Sequence, residues 1–237
     1  MIGTGWSIAE NLARLRDSMA EAAVRAGRQV DEITLIGVSK TRQAEAIAEA
    51  VRAGLRHVGE NRVQEAAEKL PTVQQLLVGE PTPVFHMVGH LQTNKAGMAV
   101  GLFDRIDSVD SVKLAQALSR RLNGAHDLPV LLEVYVGNDP DRPGLRPEQA
   151  TEAVGSILEV PGLRVEGLMT VAPLGGDARA AFVQVRRLKE SLSETFPRVH
   201  FGVLSMGMSD DYLAAIEEGS TEVRIGTALF GPRMTRF

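Results

Sequence analysis

The segment Ile33-Thr-Leu-Ile-Gly-Val-Ser-Lys-Thr41 decides the fold class, because an apolar, β-branched run ends there on a charged residue. Such a run predicts a buried strand over Ile33–Ser39, with Lys40 at its carboxyl end. A helix is predicted directly afterwards, from Gln43 to Ala53, since alanine, isoleucine and valine recur there at helical spacing. A buried strand followed within a few residues by an amphipathic helix is the building unit of parallel α/β folds.

The same unit recurs along the chain. Seven further strands are predicted, each a short apolar run between turn residues: His57–Gly59, Val84–Val88, Arg105–Asp107, Val130–Val136, Val165–Val171, Phe201–Leu204 and Val223–Phe230. The helices predicted between them are Asn61–Gln75, Gln92–Val100, Ser111–Leu122, Glu148–Leu158, Asp177–Thr195 and Ser209–Glu217. Pro71 is expected to end the first of these early, and Ser209 is expected to cap the last.

Eight strands that alternate with helices predict a (β/α)8 TIM-type barrel, and 237 residues is a typical length for one. An extra helix is expected before the first strand, because Ser7-Ile8-Ala9-Glu10 has the Ser-x-x-Glu pattern of a capping box. A doubly wound open sheet of six or seven strands is the alternative. No linker or low-complexity tract interrupts the alternation, so we expect a single domain over residues 1–237.

Composition narrows the class of protein. Lys and Arg number 26 against 30 Asp and Glu, and the net charge of −4 gives no electrostatic basis for binding nucleic acid. Cysteine is absent, which excludes disulfides, thiolate metal ligands and a cysteine nucleophile. No long apolar run and no secretory signal pattern occurs, so we expect a cytoplasmic protein without membrane contact.

Polar residues cluster where the predicted strands end. In a (β/α)8 barrel these ends form the reactive face, although strand ends are also polar simply because loops begin there. Lys40 shares a strand face with Ile36 and Val38, so its amine is expected to be partly desolvated. Desolvation lowers the pKa of an amine and lets it attack a carbonyl to form a Schiff base. A lysine that merely extends its amine to solvent is the alternative interpretation.

A second group of polar residues lies near the C-terminus. Gly226 and Thr227 lie inside the predicted strand Val223–Phe230, and a glycine in a strand lets backbone N–H groups approach a ligand. The turn Ser205-Met-Gly-Met-Ser209 leads into a predicted helix N-terminus, a common place for phosphate. Together with Lys40, these features predict a site for a phosphorylated carbonyl compound.

Six segments occur in an order and at a spacing typical of one known family: Leu35-Ile-Gly-Val-Ser-Lys-Thr41, Val58-Gly-Glu-Asn-Arg-Val-Gln-Glu65, His86-Met-Val-Gly-His-Leu-Gln-Thr-Asn-Lys95, Gly167-Leu-Met-Thr170, Leu204-Ser-Met-Gly-Met-Ser-Asp-Asp211 and Gly219-Ser-Thr-Glu-Val-Arg-Ile-Gly-Thr-Ala-Leu-Phe-Gly231. On these segments the chain resembles, over nearly its whole length, the pyridoxal phosphate homeostasis proteins. These are single-domain relatives of the barrel domain of alanine racemase, which is fold type III among pyridoxal phosphate proteins.

The resemblance implies roles for six residues. It implies that Lys40 forms the internal aldimine with pyridoxal 5′-phosphate, that Arg224 faces the pyridine nitrogen, and that Asn61 lines the ring near its hydroxyl. The residues that would hold the phosphate are Ser205, Gly226 and Thr227. The chain departs from the family pattern at Tyr135, where an asparagine is frequent, and at Arg142, where a lysine is usual.

The remaining polar candidates are expected to be structural. His90 lies on the same rim, and for it a structural role and a ligand contact both stay open. The residues expected to pack, cap helices or lie at the surface are His57, His86, His126, His200, Met206, Met208, Asp210 and Asp211.

By the resemblance, the chain binds its cofactor in order to buffer it and deliver it, in transient contact with pyridoxal phosphate-dependent apo-enzymes, rather than to catalyse a reaction. A permanently charged Arg224 at the pyridine nitrogen opposes protonation of the ring and weakens it as an electron sink. Racemases with this arrangement take a tyrosine from a second domain, which we do not expect here because the chain ends soon after Phe230. Two alternatives remain: a pyridoxal phosphate-dependent amino-acid racemase that uses Lys40 with Tyr135 or Tyr212, and a cofactor-free aldolase with a substrate Schiff base at Lys40.

Overall fold

The computed structural model describes residues 7–124 and 127–232, and in it eight parallel strands close into a barrel. The strands are β1 (Thr34–Val38), β2 (His57–Glu60), β3 (Val84–Met87), β4 (Arg105–Val109), β5 (Leu128–Val134), β6 (Leu163–Thr170), β7 (Val203–Ser205) and β8 (Glu222–Ile225). Each strand pairs with the next one along the chain, and β8 pairs with β1. The prediction of a (β/α)8 barrel is confirmed, and the open-sheet alternative is wrong.

Helices surround the barrel and connect its strands. They are α1 (Ile8–Arg25), α2 (Ala44–Arg52), α3 (Val63–Leu76), α4 (Ala96–Val100), α5 (Val112–Ser119), α6 (Pro147–Leu158), α7 (Ala178–Thr195), α8 (Tyr212–Glu217) and α9 (Thr227–Phe230). The extra N-terminal helix is α1, and both hydrogen bonds of the expected Ser7–Glu10 capping box are present. Throughout the described ranges, every helix is too short or too polar to cross a bilayer.

The core has two parts. The larger part lies between the strands and the helices and contains most of the buried aliphatic side chains, with Phe182 among the largest that are fully buried. The smaller part is a separate buried cluster of Ile36, Val38 and Val88. Side chains alternate between the two faces of a strand, which puts these residues inside the barrel, directly below the end of β1.

The last strand is shorter than the sequence predicts. Residues Val223–Phe230 were expected to form one strand, but β8 ends at Ile225 and the chain then turns into the short helix α9. The carbonyl of Gly226 accepts hydrogen bonds from the N–H groups of Leu229 and Phe230, so it caps a helix instead of continuing the sheet. The prediction that Gly226 and Thr227 lie inside the strand is therefore wrong, although both follow directly from it.

Three further boundaries differ from the expected ones. Pro71 does not end its helix, because α3 continues to Leu76 with a buried face that includes Leu70 and Val73. The residue at the N-cap position of α8 is Asp211 and not Ser209. Finally, β5 ends at Val134 instead of continuing to Val136, since the next residue donates its N–H to the carbonyl of Leu145 in the loop.

Charged residues fill the barrel near the amino ends of its strands. Arg105 donates to both carboxylate oxygens of Asp107, at 2.7 and 3.1 Å, and also binds Glu222. Burial alone would raise the pKa of Asp107, but the neighbouring His86 and Arg105 hold it below its usual range. His86 also meets His57, with 3.0 Å between Nε2 and Nδ1. This network satisfies the polar groups that close the bottom of the barrel.

The network makes stability depend on pH through His57. Burial, with His86 and Arg105 nearby, lowers the pKa of His57 from 6.5 to about 4, against an opposing effect of Asp107. The unfolded chain therefore binds the proton first, and the free energy of unfolding falls as the pH drops from 6.5 toward 4. We expect His57→Asn to reduce the loss between pH 7 and pH 5 by about 1 kcal/mol, because partial exposure screens the effect.

Urea unfolding of the wild type and of His57→Asn at the two pH values measures this difference. His200→Asn, which changes an exposed histidine outside the network, serves as the control. An equal pH dependence in all three proteins would contradict the assignment.

Candidate functional site

The residues singled out from the sequence meet at the carboxyl ends of the strands. Lys40 follows β1, Asn61 follows β2, Ser205 is the last residue of β7, and Gly226 comes directly after β8. Parallel strands in a closed barrel all end on one side, so these residues share one face of the molecule. Lys40 and Asn61 are half-buried there, whereas Thr227 is exposed.

The pairing of β1 with β8 brings two of these segments together. Ile36 lies opposite Arg224 in this pair, and Gly37 lies opposite Ile225. A Cβ atom placed on Gly226 would stand 3.4 Å from the carbonyl oxygen of Val38, which is ordinary contact. The segment that carries Lys40 therefore runs beside Gly226.

Arg224 is buried inside the barrel and held by two hydrogen bonds. Its Nη1 donates to Ser205 Oγ at 2.9 Å, and its Nη2 donates to the carbonyl of Thr170 at 2.6 Å. Burial lowers the pKa of Arg224, and the carboxylates of Asp107 and Glu133 oppose this effect. An arginine stays charged in spite of such a shift, so the guanidinium is a fixed cation with a fixed direction.

Ser205 has a defined partner in this arrangement. Its hydroxyl is fully buried and accepts the hydrogen bond from Arg224. A phosphate contact for Ser205, which the resemblance implies, stays a prediction. The contact that the structure does contain links β7 to β8 and orients Arg224.

Asn61 follows β2 and packs against the backbone of Gly89, which follows β3. A Cβ atom on Gly89 would collide with the backbone of Asn61, so a side chain larger than hydrogen at position 89 would push the two strand ends apart. Asn61 also lines a cleft of about 410 Å³ together with His90 and Lys95. The predicted position of Asn61 at the rim is consistent with a ligand contact, and its partner stays a prediction.

The turn after β7 packs tightly against the start of two helices. Gly207 has a φ of +98°, and a Cβ atom there would meet Ala215 at 2.6 Å and Tyr212 at 2.9 Å, so glycine is required. Ser209 Oγ accepts a hydrogen bond at 3.3 Å from the N–H of Ala228 in α9. Ser209 therefore joins the two segments that were expected to surround a phosphate.

Glu133 is a residue of this region that the sequence analysis missed. It belongs to β5, beside a cavity of about 60 Å³ that Tyr135, Arg142 and Pro143 also line. Its Oε2 atom is buried and has no hydrogen-bond partner among the described residues. Burial and the nearby Asp110 raise the pKa of Glu133 to about 7, although Arg224 and Arg142 oppose the shift. The available signal was a lone glutamate inside the apolar run Val130-Leu-Leu-Glu-Val-Tyr-Val136.

Other polar candidates have structural partners. His90 Nδ1 lies 3.1 Å from Asp110 Oδ2, with about half of the His90 side chain exposed. Of the two methionines, the side chain of Met206 is buried and that of Met208 is exposed. The carboxylate of Asp211 accepts a hydrogen bond from the backbone N–H of Met208. His126 lies outside the described residues. Over residues 7–124 and 127–232, no group of three histidine or acidic side chains could hold a metal ion.

Comparison with known proteins relates the chain to one family. The model of the alanine racemase N-terminal domain matches residues 7–234. The pyridoxal phosphate homeostasis protein of Escherichia coli K12 is 39% identical over 228 residues, which cover 95% of this chain and 97% of that protein. The chain belongs to the pyridoxal phosphate homeostasis protein family. Its counterpart in Pseudomonas aeruginosa is 40% identical over 228 residues, with 96% of each chain covered.

Solved structures extend the comparison. PipY from Synechococcus elongatus has been solved with PLP bound. It is 38% identical, covers 94% of this chain and 100% of its own, and has a TM-score of 0.81. Alanine racemase from Clostridium difficile, at 15% identity and a TM-score of 0.72, covers 94% of this chain and 58% of its own, and shows the shared barrel alone.

The contact between Ser205 and Arg224 gives a test of how the site is built. We expect Ser205→Ala to lower the free energy of unfolding by about 1–3 kcal/mol, because one N–H of a buried guanidinium loses its acceptor. Urea unfolding measures the change. Ser191→Ala, at an exposed serine of α7, is the control, and an equally small effect of both variants would contradict the role given to Ser205.

The raised pKa of Glu133 gives a second test. A carboxyl whose folded pKa is about 7 stabilises the protein below its ordinary pKa of 4.5, and that contribution is lost as the pH rises through 7. We therefore expect the stability of Glu133→Gln relative to the wild type to increase by about 1–2 kcal/mol between pH 5 and pH 8. Urea unfolding at both pH values measures the change, and Glu152→Gln, at an exposed glutamate, is the control. The same pH dependence of stability in both variants would contradict the raised pKa of Glu133.

Proposed function

We propose that the chain binds pyridoxal 5′-phosphate as a Schiff base on Lys40 and acts in the homeostasis of that cofactor. The observation that carries this proposal is the similarity to PipY, which covers 94% of this chain and was solved with PLP bound. Relatives named for pyridoxal phosphate homeostasis, similar over 95% of the chain, support it. The location of Lys40 at the carboxyl end of β1, beside the segment of β8 that carries Arg224, supports it.

The donors at this face match the chemistry of the cofactor. An aldehyde needs a primary amine, which Lys40 supplies, and a phosphate needs hydroxyl and backbone N–H donors. The segment at Gly226 and Thr227 begins α9, and it is tied to the preceding turn through Ser209. Because a Cβ atom on Gly226 would fill space beside Val38 without a clash, the glycine leaves room for a ligand atom there.

Lys40 performs the covalent step of the proposal. Its unprotonated ε-amine attacks the aldehyde carbon, a C–N double bond replaces the C–O double bond, and the oxygen leaves as water with both amine protons. When bound, the cofactor supplies an electron-withdrawing ring to any amine attached to it. Lys40 is half-buried, so the attack takes place at the edge of the barrel interior and not in bulk water.

Arg224 would set the electrostatics at the pyridine nitrogen of the cofactor. Its two bonds to Ser205 and to the carbonyl of Thr170 leave it as a hydrogen-bond donor with a fixed positive charge. A cation at the pyridine nitrogen opposes protonation of that atom, which weakens the ring as an acceptor of carbanion electrons. The residues of this site therefore favour holding the cofactor over catalysis with it.

Neither described tyrosine is placed as the second base of a racemase. Tyr212 shares a 2.7 Å hydrogen bond with Ser18 of α1, on the outside of the barrel. Tyr135 is buried, and the guanidinium centre of Arg146 lies 4.7 Å from the centroid of its ring. These contacts give both rings structural partners and favour the carrier over the racemase. That the carrier is cytoplasmic, buffers the cofactor and hands it to apo-enzymes is part of the proposal, and it is supported by relatives named for pyridoxal phosphate homeostasis.

Lys40→Ala tests the linkage. We expect the wild type incubated with pyridoxal phosphate to absorb in the near-ultraviolet and visible range and to keep the cofactor on a peptide containing Lys40 after borohydride reduction. The variant is expected to lose this adduct, whereas Lys113→Ala, at an exposed lysine of α5, keeps it. Mass spectrometry identifies the modified residue, and an adduct of equal yield on Lys40→Ala would contradict the proposal.

A second measurement separates the carrier from the racemase. The loaded protein is incubated with individual L-amino acids, and the products are resolved by chiral chromatography. Turnover at ordinary enzyme rates would overturn the carrier function while leaving the Lys40 linkage intact.

A further inference from the structure

The backbone directly after Lys40 has an unusual conformation. Thr41 has a φ of +64°, the left-handed region that a β-branched residue rarely adopts. The N–H of Arg42 donates to the carbonyl of Ser39 at 3.0 Å, which closes a tight turn around Lys40. Such a conformation persists only where the surrounding structure holds it in place.

Lys69 of α3 holds this turn from below. Its ammonium group lies 2.9 Å from the carbonyl oxygen of Ser39, 2.7 Å from Glu60 Oε1 and 3.1 Å from Glu65 Oε1. These three acceptors match the three N–H donors of an ammonium. Only 8% of the Lys69 side chain is exposed, so the group is desolvated and its geometry is fixed.

The two carboxylates connect Lys69 to the residues before and after Lys40. Glu60 Oε1 accepts from the hydroxyl of Ser39, and Glu65 Oε1 accepts from the N–H of Thr41. Lys69 therefore reaches Ser39 directly and through Glu60, and reaches Thr41 through Glu65. We call Lys69, Glu60 and Glu65 the ion triad. The two peptide units that flank Lys40 are held by one network that is separate from Arg224 and Ser205.

We propose that Lys69, acting through Glu60 and Glu65, positions Lys40 for attack on the aldehyde carbon. The inference rests on the proposed function of Lys40. Lys69 is a positioning residue, because its three ammonium contacts are with Ser39, Glu60 and Glu65. Displacing a reacting group by about 1 Å can slow a reaction by up to about a hundredfold, so holding both neighbours of Lys40 has a direct kinetic effect.

The same geometry distinguishes positioning from stability. The covalent step needs the amine of Lys40 in one place, whereas a folded barrel needs only that the buried charges are balanced. Removing the ammonium alone leaves Glu60 and Glu65 without their cation. An unpaired buried carboxylate lowers the free energy of unfolding, so this single variant is expected to be less stable. Removing the charges of Lys69 and Glu60 together leaves Glu65, whose side chain is 27% exposed, as the remaining carboxylate of the triad. The double variant therefore avoids the fully buried unpaired charge that Lys69→Met alone creates at Glu60.

The experiment compares Lys69→Met and Glu60→Gln/Lys69→Met with the wild type, and uses the exposed Lys113→Met as the control. Each protein is mixed with pyridoxal 5′-phosphate, and the rate of adduct formation is followed by absorbance and by borohydride trapping. Visible circular dichroism per bound cofactor reports whether the chromophore is held in one orientation. Far-ultraviolet circular dichroism and the Tm report the fold.

We expect both triad variants that fold to form the Lys40 adduct about tenfold more slowly. They should also show a reduced visible circular dichroism per bound cofactor, and Lys113→Met should match the wild type. Folded triad variants with wild-type rates and spectra would overturn the inference. Loss of the fold in both triad variants would also overturn it, because the triad would then be a folding element. A wild type that forms no adduct on Lys40 would instead refute the proposed function.

Discussion

The pairing of β1 with β8 is the constraint on which the site depends, because it closes the barrel and joins its first strand to its last. Without that pair, the segment after Val38 and the segment after Ile225 would belong to opposite edges of an open sheet. Closure sets Ile36 opposite Arg224 and places Gly226 against Val38. The proximity of Lys40 to the segment after β8 therefore depends on the closed barrel.

The barrel separates its charged groups into layers with different roles. At the amino ends of the strands, Arg105 and its carboxylates balance one another in a closed network. Ile36 and Val88 form part of an apolar cluster between that network and the carboxyl ends. Arg224 is buried as well, and its hydrogen-bond acceptors are neutral: the hydroxyl of Ser205 and the carbonyl of Thr170. The chain thus pairs its charges directly at the amino ends of the strands, whereas Arg224 is held by a hydroxyl and a carbonyl group.

The alternation of apolar runs and helices was sufficient to predict the barrel, because strand and helix periodicity are local properties. It failed at Gly226, where β-branched residues favour a strand but the glycine carbonyl caps a helix. It failed at Pro71 as well, since packing of α3 on the barrel outweighs one missing hydrogen bond. Glu133 and Lys69 were missed because their significance lies in contacts across strands and helices, which a single sequence does not display.

The left-handed backbone at Thr41 has a consequence for how this chain can change. A β-branched residue with a positive φ costs on the order of 1–2 kcal/mol relative to glycine, so the native protein is less stable than a simple substitution would make it. Selection for thermal stability alone would favour glycine at position 41. Glycine would also widen the range of conformations open to the neighbouring lysine. Under the function proposed for Lys40, stability and the positioning of that lysine therefore oppose each other at residue 41, and a stabilised variant should keep Thr41.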